Sequence, residues 1–293
     1  MTDGQPSPAV PYAEVIGDPI AQSKSPAIHR HWIARLGIEA DYRACHVRAE
    51  ELADYLRERR ADPLWRGCNV TMPHKQAVMP HLDRIDPMAR AIGAVNTIVR
   101  EADGALAGYN TDAEGFLEPL REELERPHLF RMARVLGTGG AARAIVVALA
   151  ARDMVVVLAG RDPAKARALL DELAPGGDHH AADLAAFAGP TDFAFDDRAG
   201  VFDLVVNASP LGMAGQPPLA FHLSHAPPGS VVYDIVTHPL DTPLLRDAGA
   251  AGFATLDGLN MLIGQAALAF AHFFGRQPPR EDADRELRAL LGA

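Results

Sequence analysis

The chain is poor in the features that mark several large classes of protein. It has only two cysteines, Cys45 and Cys68, both on or beside strand-like stretches. That argues against a disulfide scaffold and fits a reducing cytoplasm, where the protein is expected. No apolar run approaches the roughly 20 residues that a bilayer-spanning helix needs. Met1 to Pro11 has neither a basic start nor an apolar stretch, so no signal peptide is expected and the segment reads as a short disordered lead-in. There is no surplus of basic charge. The formal net charge of −10 speaks against nonspecific binding to nucleic acid or an anionic membrane. A local lysine or arginine could still hold a small anion. Internal repeats and long low-complexity linkers are absent. The 12 histidines do not fall at metal-ligand spacing, so no metal site is expected. His29 and His31 should point to different faces of their helix. What remains is ordinary for a soluble globular chain of 293 residues, long enough for two domains or one large one.

The first hundred residues alternate strand and helix patterns, which favours a largely parallel α/β sheet. Ala13 to Gly17 reads as a strand. The loop Asp18 to Ser25 follows, and Pro26 opens a helix with Ser25 as candidate N-cap and Ile28, Trp32, Ile33 and Leu36 inward. Ser23, Lys24 and Ser25 before a helix N-terminus make a plausible carboxylate pocket, although a plain capping loop has the same pattern. Tyr42 to Val47 is a second strand, and Ala49 to Arg59 a helix. Gly67 to Lys75 carries a strand that ends near Val70. Pro73 prevents a central strand from continuing, so Lys75 should leave the C-terminal edge of the sheet, where open α/β sheets bind ligands. A lysine there can donate to a substrate oxygen or act as an acid or base; otherwise it is simply solvated at the start of a helix from Gln76 to Leu82.

Asn96 leads into a strand from Thr97 to Arg100. Asp103-Gly104 signals a hairpin turn, and Ala105 to Tyr109 returns. The polar run Gly108-Tyr109-Asn110-Thr111-Asp112 then marks a crossover between two regions of different character. Read locally, Asp112 is an N-cap for a helix carrying Phe116, Leu117, Leu120 and Leu124.

Met132 to Leu136 is a strand that runs into Gly137-Thr138-Gly139-Gly140-Ala141-Ala142-Arg143. An apolar helix stripe of Ile145, Val146 and Leu149 follows, then a strand from Val155 to Leu158. This is the strand–turn–helix–strand setting of a dinucleotide fingerprint. Gly137 allows the turn, Gly139 lets the backbone approach a pyrophosphate, and Gly140 and Ala141 stand with them as expected cofactor-binding residues. Ala142 permits close helix–sheet packing. An NAD-type site would place a carboxylate at the end of the second strand, whereas this chain has Gly160-Arg161-Asp162. A guanidinium suits a 2′-phosphate, so NADP is favoured. The strands Leu204 to Asn207 and Val231 to Ile235 should end near the nicotinamide, bringing Asn207, Ser209 and Ile235 to the cofactor. A long apolar helix after Asp257-Gly258 contains one conspicuous amide, Gln265, which is either an exposed helix position or a residue that reaches the ligand.

Taken in order, these motifs resemble the shikimate dehydrogenase family along almost the whole chain. The resemblance rests on Gly17-Asp18-Pro19 through Ser23-Lys24-Ser25-Pro26 and His29, Asn69 to Lys75, Gly93 to Thr97, and Asn110-Thr111-Asp112. It continues through the nucleotide turn, Asn207-Ala208-Ser209, and Gly258 to Leu262 with Gln265. It implies an NADP-dependent reduction of 3-dehydroshikimate to shikimate. Ser23 and Ser25 would bind the carboxylate. Asn69, Thr71, Asn96 and Gln265 would hold ring hydroxyls. Lys75 and Asp112 would be the catalytic pair. The chain departs from the family's common pattern at His74, at Gly160-Arg161-Asp162 and at Thr237. An NAD-dependent quinate/shikimate dehydrogenase is the nearest alternative, and retention of Ser25 favours shikimate over quinate. A noncatalytic dinucleotide sensor is the alternative from another class. The expected architecture is a substrate and catalytic domain from residues 1–111 and 258–293, with a Rossmann-type NADP-binding domain at 112–257 and a closing cleft between them. A monomer or homodimer is expected.

Overall fold

The computed structural model describes residues 10–192 and 200–292. The chain forms two compact units. One contains residues up to Arg90, Ala94–Asn110 and Ala266 onward; the other contains Ala91–Gly93 and Thr111–Gln265.

The first unit begins with β1 (Tyr12–Gly17), α1 (Ser25–Leu36), β2 (Asp41–His46), α2 (Leu52–Ala61) and β3 (Trp65–Val70). It continues with α3 (His74–Ala77), β4 (Arg84–Ile85), α4 (Pro87–Ile92, whose last two residues belong to the other unit), β5 (Thr97–Arg100) and β6 (Leu106–Tyr109). Its sheet has the order β2-β1-β3-β5-β6-β4. β2, β1 and β3 are parallel, whereas β5 runs antiparallel to both β3 and β6. The sheet is therefore mixed. The turn at Asp103-Gly104 forces this: Gly104 takes a positive φ of 83°, its N–H donates to Glu101, and β6 folds straight back on β5. Ile16, Trp65, Val70, Ile98 and Leu106 build the buried cluster.

Two elements differ from expectation for local reasons. The helix expected over Gln76–Leu82 is instead α3 followed by a separate 3-10 turn at Met79–His81, because Pro80 has no N–H to continue an α-helical ladder. Ser25 is not the N-cap of α1. Lys24 already has helical angles and stands in the cap position, making Ser25 the first helical residue. Of the Met1–Pro11 lead-in, residues 1–9 lie outside the described residues. The Pro11 carbonyl accepts a bond from the Asp41 N–H.

The two helix histidines do face differently. His31 lies near Glu286 at 3.2 Å, while His29 is wholly buried and stacked on Tyr42 at 3.9 Å between ring centroids. Among the described residues, neither ring nitrogen of His29 has a hydrogen-bond partner, and burial pushes its pKa down to about 3. The folded protein thus holds this imidazole neutral where the unfolded chain would protonate it. Its contribution to stability is present above pH 6.5 and is lost as the pH falls toward 3, with a slope of up to about 1.4 kcal/mol per pH unit. His29→Phe keeps the ring stack and should flatten that acid limb. Urea midpoints followed from pH 7 to pH 4 test this, and parallel curves for the two proteins would count against it.

The second unit starts with α5 (Asp112–Leu117), α6 (Arg121–Glu125), β7 (Phe130–Leu136), α7 (Gly140–Ala150), β8 (Val155–Gly160), α8 (Pro163–Leu173) and β9 (His180–Asp183). It goes on with β10 (Val201–Asn207), β11 (Val231–Asp234), α9 (Pro243–Ala250), β12 (Ala254–Leu256) and the first half of α10 (Gly258–Phe274). α11 (Asp282–Gly292) belongs to the first unit. The second sheet is entirely parallel, in the order β12-β11-β10-β7-β8-β9. The chain winds one way from β7 through β9 and the other way from β10 through β12, so the order reverses between β7 and β10. This is the doubly wound topology whose ligands sit at the carboxyl ends of the two strands flanking the reversal. Ile145, Val146 and Leu149 of α7 are fully buried, as the apolar stripe requires. Among the described residues, no helix is long and apolar enough to cross a membrane.

Candidate active site

In the first unit, six of the residues singled out by sequence meet at one sheet edge. Register places Ile16 beside Val70 and Asn69 beside Thr97. The chain after β3 is held to its neighbours by main-chain bonds: Thr71 N–H to Ile16, Val70 N–H to Asn96, and Val95 N–H to the Lys75 carbonyl at 2.8 Å. His74 is fully buried and its Nε2 lies 2.6 Å from the Val47 carbonyl, which anchors the turn that carries Lys75. Asn69, Thr71, Lys75 and Asn96 therefore lie on one connected backbone frame. Ser25 and Ser23 join it from the start of α1. The Ser25 N–H donates to Ser23 Oγ at 3.3 Å, and the Ser25 hydroxyl hydrogen-bonds Tyr42, whose own hydroxyl reaches Asn69 Oδ1 at 2.6 Å. Lys24, read with the two serines as part of an anion pocket, directs its ammonium to the Leu291 carbonyl at 2.8 Å.

In the second unit, Asp112 is not the N-cap of α5. Thr111 has helical angles and occupies that position without a side-chain cap, and Asp112 is already the first helical residue, buried at 5% exposure. Gln265 is buried too, so the reading of an exposed helix position is set aside. Its Nε2 donates to Leu262, and Thr111 Oγ1 lies 3.4 Å from its Oε1. Gly115 makes this approach possible. A Cβ built there would come within 2.4 Å of the Gln265 nitrogen and 2.8 Å of its Cα. Those are backbone atoms and cannot swing aside. Gly115→Ala should therefore move α5 and α10 apart at a cost of about 1–3 kcal/mol. A thermal melt checks this; an unchanged melting temperature in the variant would contradict the contact.

The nucleotide turn has the features a pyrophosphate needs. Gly137 follows β7 with φ 127°, and a Cβ there would lie 2.7 Å from the Ala208 carbonyl oxygen. Only glycine lets the turns after β7 and β10 approach so closely. Gly139 and Gly140 are exposed, so the first N–H groups of α7 face outward with the helix dipole behind them. Ala141 is half-buried, and Ala142 is buried against the sheet. Arg161 follows β8 and lines a cavity of about 380 Å³ with Asp183, Leu184, Leu211, Pro218 and Ala220. The adjacent Asp162 and the cavity-lining Asp183 are both turned into caps. Asp162 accepts from the Ala164 and Lys165 N–H groups at 3.0 and 3.2 Å, and Asp183 from the Ala185 N–H at 2.9 Å. The arginine thus stands over an otherwise largely apolar hollow, as a phosphorylated adenosine would require. No carboxylate occupies its place at the end of β8.

Asn207, Ser209 and Ile235 lie where β10 and β11 end, but their side chains differ in what they offer. Asn207 is fully buried. Its Nδ2 donates to Leu211 and Asp234, and its Oδ1 accepts from both the N–H and the hydroxyl of Ser209. All four hydrogen bonds of the amide are thereby taken within the protein. Asp234 accepts from Asn207, Thr242 and the Val236 N–H, while burial pushes its carboxyl up. This network shapes the two turns. β11 ends at Asp234, so Ile235 is the first residue beyond the strand rather than its last, half-buried, with its N–H on the Asn207 carbonyl. Sequence reasoning missed Tyr42, Thr97 and the Asp234–Thr242 pair. Each is a hydroxyl or carboxylate at an inward position of a strand or at a helix cap, and that was the available signal. Among the described residues, no group of three His, Cys, Asp or Glu side chains gathers as a metal site would.

A Rossmann-type dinucleotide-binding unit joined to a second α/β unit with a polar, lysine-bearing sheet edge defines the class of this protein. Residues 15–98 match the shikimate dehydrogenase substrate binding domain, and residues 258–288 match the shikimate 5'-dehydrogenase C-terminal domain. The shikimate dehydrogenase (NADP(+)) of Sphingopyxis alaskensis is 54% identical, covering 97% of this chain and 98% of its own. Among solved structures, a shikimate dehydrogenase in complex with NADP+ superposes with a TM-score of 0.82 at 34% identity, covering 96% of each chain. The quinate dehydrogenase of Corynebacterium glutamicum in complex with NAD gives 0.81 at 32% identity, covering 97% of this chain and 99% of its own. The chain belongs to the shikimate dehydrogenase family.

Proposed function

We propose that this protein catalyses the reversible, NADP(H)-dependent reduction of 3-dehydroshikimate to shikimate. In this reading most of the substrate-binding groups come from the first unit, and the second holds the dinucleotide. The observation that carries it is the joining of Ser25, Asn69 and Asn96 through Tyr42 and Thr97 on the frame that also bears Lys75. A polyhydroxylated carboxylic acid needs such a set of hydroxyls and amides. Ser23 and Ser25 take the carboxylate; Asn69, Thr71, Asn96 and Gln265 take ring hydroxyls. Gly137, Gly139, Gly140 and Ala141 cradle the pyrophosphate, and Arg161 takes the 2′-phosphate. Asn207 and Ser209 act by holding the turn after β10, and Ile235 supplies an apolar surface beside the nicotinamide.

Held by the Gly137–Ala141 turn and Arg161, the reduced dinucleotide would supply hydride to the carbonyl carbon. Lys75 gives a proton to the oxygen as negative charge grows there, and Asp112 supports the lysine. One ketone, one hydride and one proton yield one alcohol, and the reverse direction returns the proton to Lys75. Incubation with shikimate and NADP+ should release NADPH and 3-dehydroshikimate in equal amounts. Failure to form either product would sink the proposal.

A further inference from the structure

We propose that Tyr42 is a positioning residue for the substrate set, fixing through its hydroxyl which end of the Asn69 amide is presented to the ligand. This rests on the substrate-binding role proposed for Asn69. Tyr42 sits on β2 with no exposure, and its ring lies flat on His29 with 3° between the planes. Its hydroxyl donates to Asn69 Oδ1 at 2.6 Å. Asn69 Nδ2 then donates to Thr97 Oγ1 at 3.1 Å and toward the Asn96 carbonyl at 3.4 Å. Thr97 accepts that bond, so its own proton goes to Asn96 Oδ1 at 3.0 Å. One donor at the start therefore orients three side chains in the same sense. Turning the Asn69 amide over would set its oxygen against the Asn96 carbonyl, acceptor on acceptor. Burial holds the phenol well above its ordinary pKa, so it remains a donor across the working pH range.

The chemical consequence concerns specificity. Both Nδ2 protons of Asn69 are committed inside the protein, and its Oδ1 keeps one lone pair beyond the bond from Tyr42. The group that Asn69 takes from a ligand must then be a donor. A ring hydroxyl satisfies this; an ether or carbonyl at the same point does not.

Tyr42→Phe keeps the stack on His29 and removes the hydroxyl, and with it the bond to Asn69 and the partner of the Ser25 hydroxyl. It should raise the KM for shikimate about ten-fold, as loss of one buried hydrogen bond that orders the ligand-facing Asn69 amide implies, with kcat and the KM for NADP+ within about two-fold of the parent. Loss of folded protein would instead lower kcat. Asn69→Ala should raise the same KM, and adding Tyr42→Phe to it should raise it no further. Thr97→Val, which breaks the next link without touching the tyrosine, should also raise it and provides a second test if Tyr42→Phe folds poorly. If Asn69→Ala raises the KM while Tyr42→Phe leaves it unchanged, or multiplies it independently in the double variant, the positioning role is wrong. An unchanged KM in Thr97→Val also overturns it. If Asn69→Ala itself leaves the KM unchanged, the substrate role of Asn69 fails and takes the inference with it.

Discussion

Lys75→Ala should lower kcat for shikimate oxidation by about 10²–10⁴-fold, the range that a positioned general acid or base contributes. The loss is local. The turn that carries Lys75 is held by main-chain bonds and by the buried His74, and the Lys75 carbonyl keeps its bond from Val95 whatever its side chain. Truncation therefore removes the amine while the frame of Asn69, Thr71 and Asn96 stays in place. Affinity for NADP+ should be unchanged, because the nucleotide turn lies on β7 and α7 of the other unit. Measuring kcat together with the NADP+ dissociation constant separates these effects. A variant that keeps more than about a tenth of parental kcat would remove the lysine from the proton transfer. Lys75→Arg should not rescue turnover, since a guanidinium stays charged and cannot take the proton back.

Arg161→Ala should weaken NADP+ binding by about 10–100-fold and leave NAD+ binding within about two-fold, as expected for loss of charge-assisted bonds to a phosphate that only NADP+ carries. The caps formed by Asp162 and Asp183 are central to this expectation. With both carboxylates accepting backbone N–H groups, they are oriented away from the role that a ribose-binding carboxylate plays in NAD sites. The effect should shrink as salt rises, because Arg161 is exposed. Equal weakening of NADP+ and NAD+ would show that the arginine supports the fold of the pocket rather than the 2′-phosphate. The test is a pair of binding titrations at two ionic strengths.

Most of the architecture was legible because the chain's periodicities and punctuation agree with one another. The doubly wound sheet followed from apolar strands separated by helix patterns, and the glycine turn stands directly after β7. The hairpin was written in Asp103-Gly104. What escaped reading depends on backbone angles or on partners distant in sequence. Ser25 and Asp112 look like caps by residue type, yet Lys24 and Thr111 already have helical angles, so the cap positions fall one residue earlier. β9 and β12 are short, partly exposed edge strands whose residues do not alternate between buried and solvent faces, which leaves no period to detect. The site was legible as a set of residue types in order. Their wiring was not. Nothing in the local sequence of Asn207 shows that its amide is spent on the turns after β10 and β11. Likewise, the partners of Tyr42 come from Ser25 and Asn69, 17 and 27 positions away in the chain.

Initial rates for shikimate and quinate, each measured with NADP+ and with NAD+, are the most direct test of the shikimate and NADP assignments. kcat/KM should be highest for shikimate with NADP+, replacing NADP+ by NAD+ should lower it, and quinate should be poorly used with either cofactor. Dominant turnover of quinate or dominant use of NAD+ would contradict the assignments of Ser25 and Arg161. Measurable cofactor binding with no turnover of any pair would contradict the catalytic reading of Lys75 and Asp112.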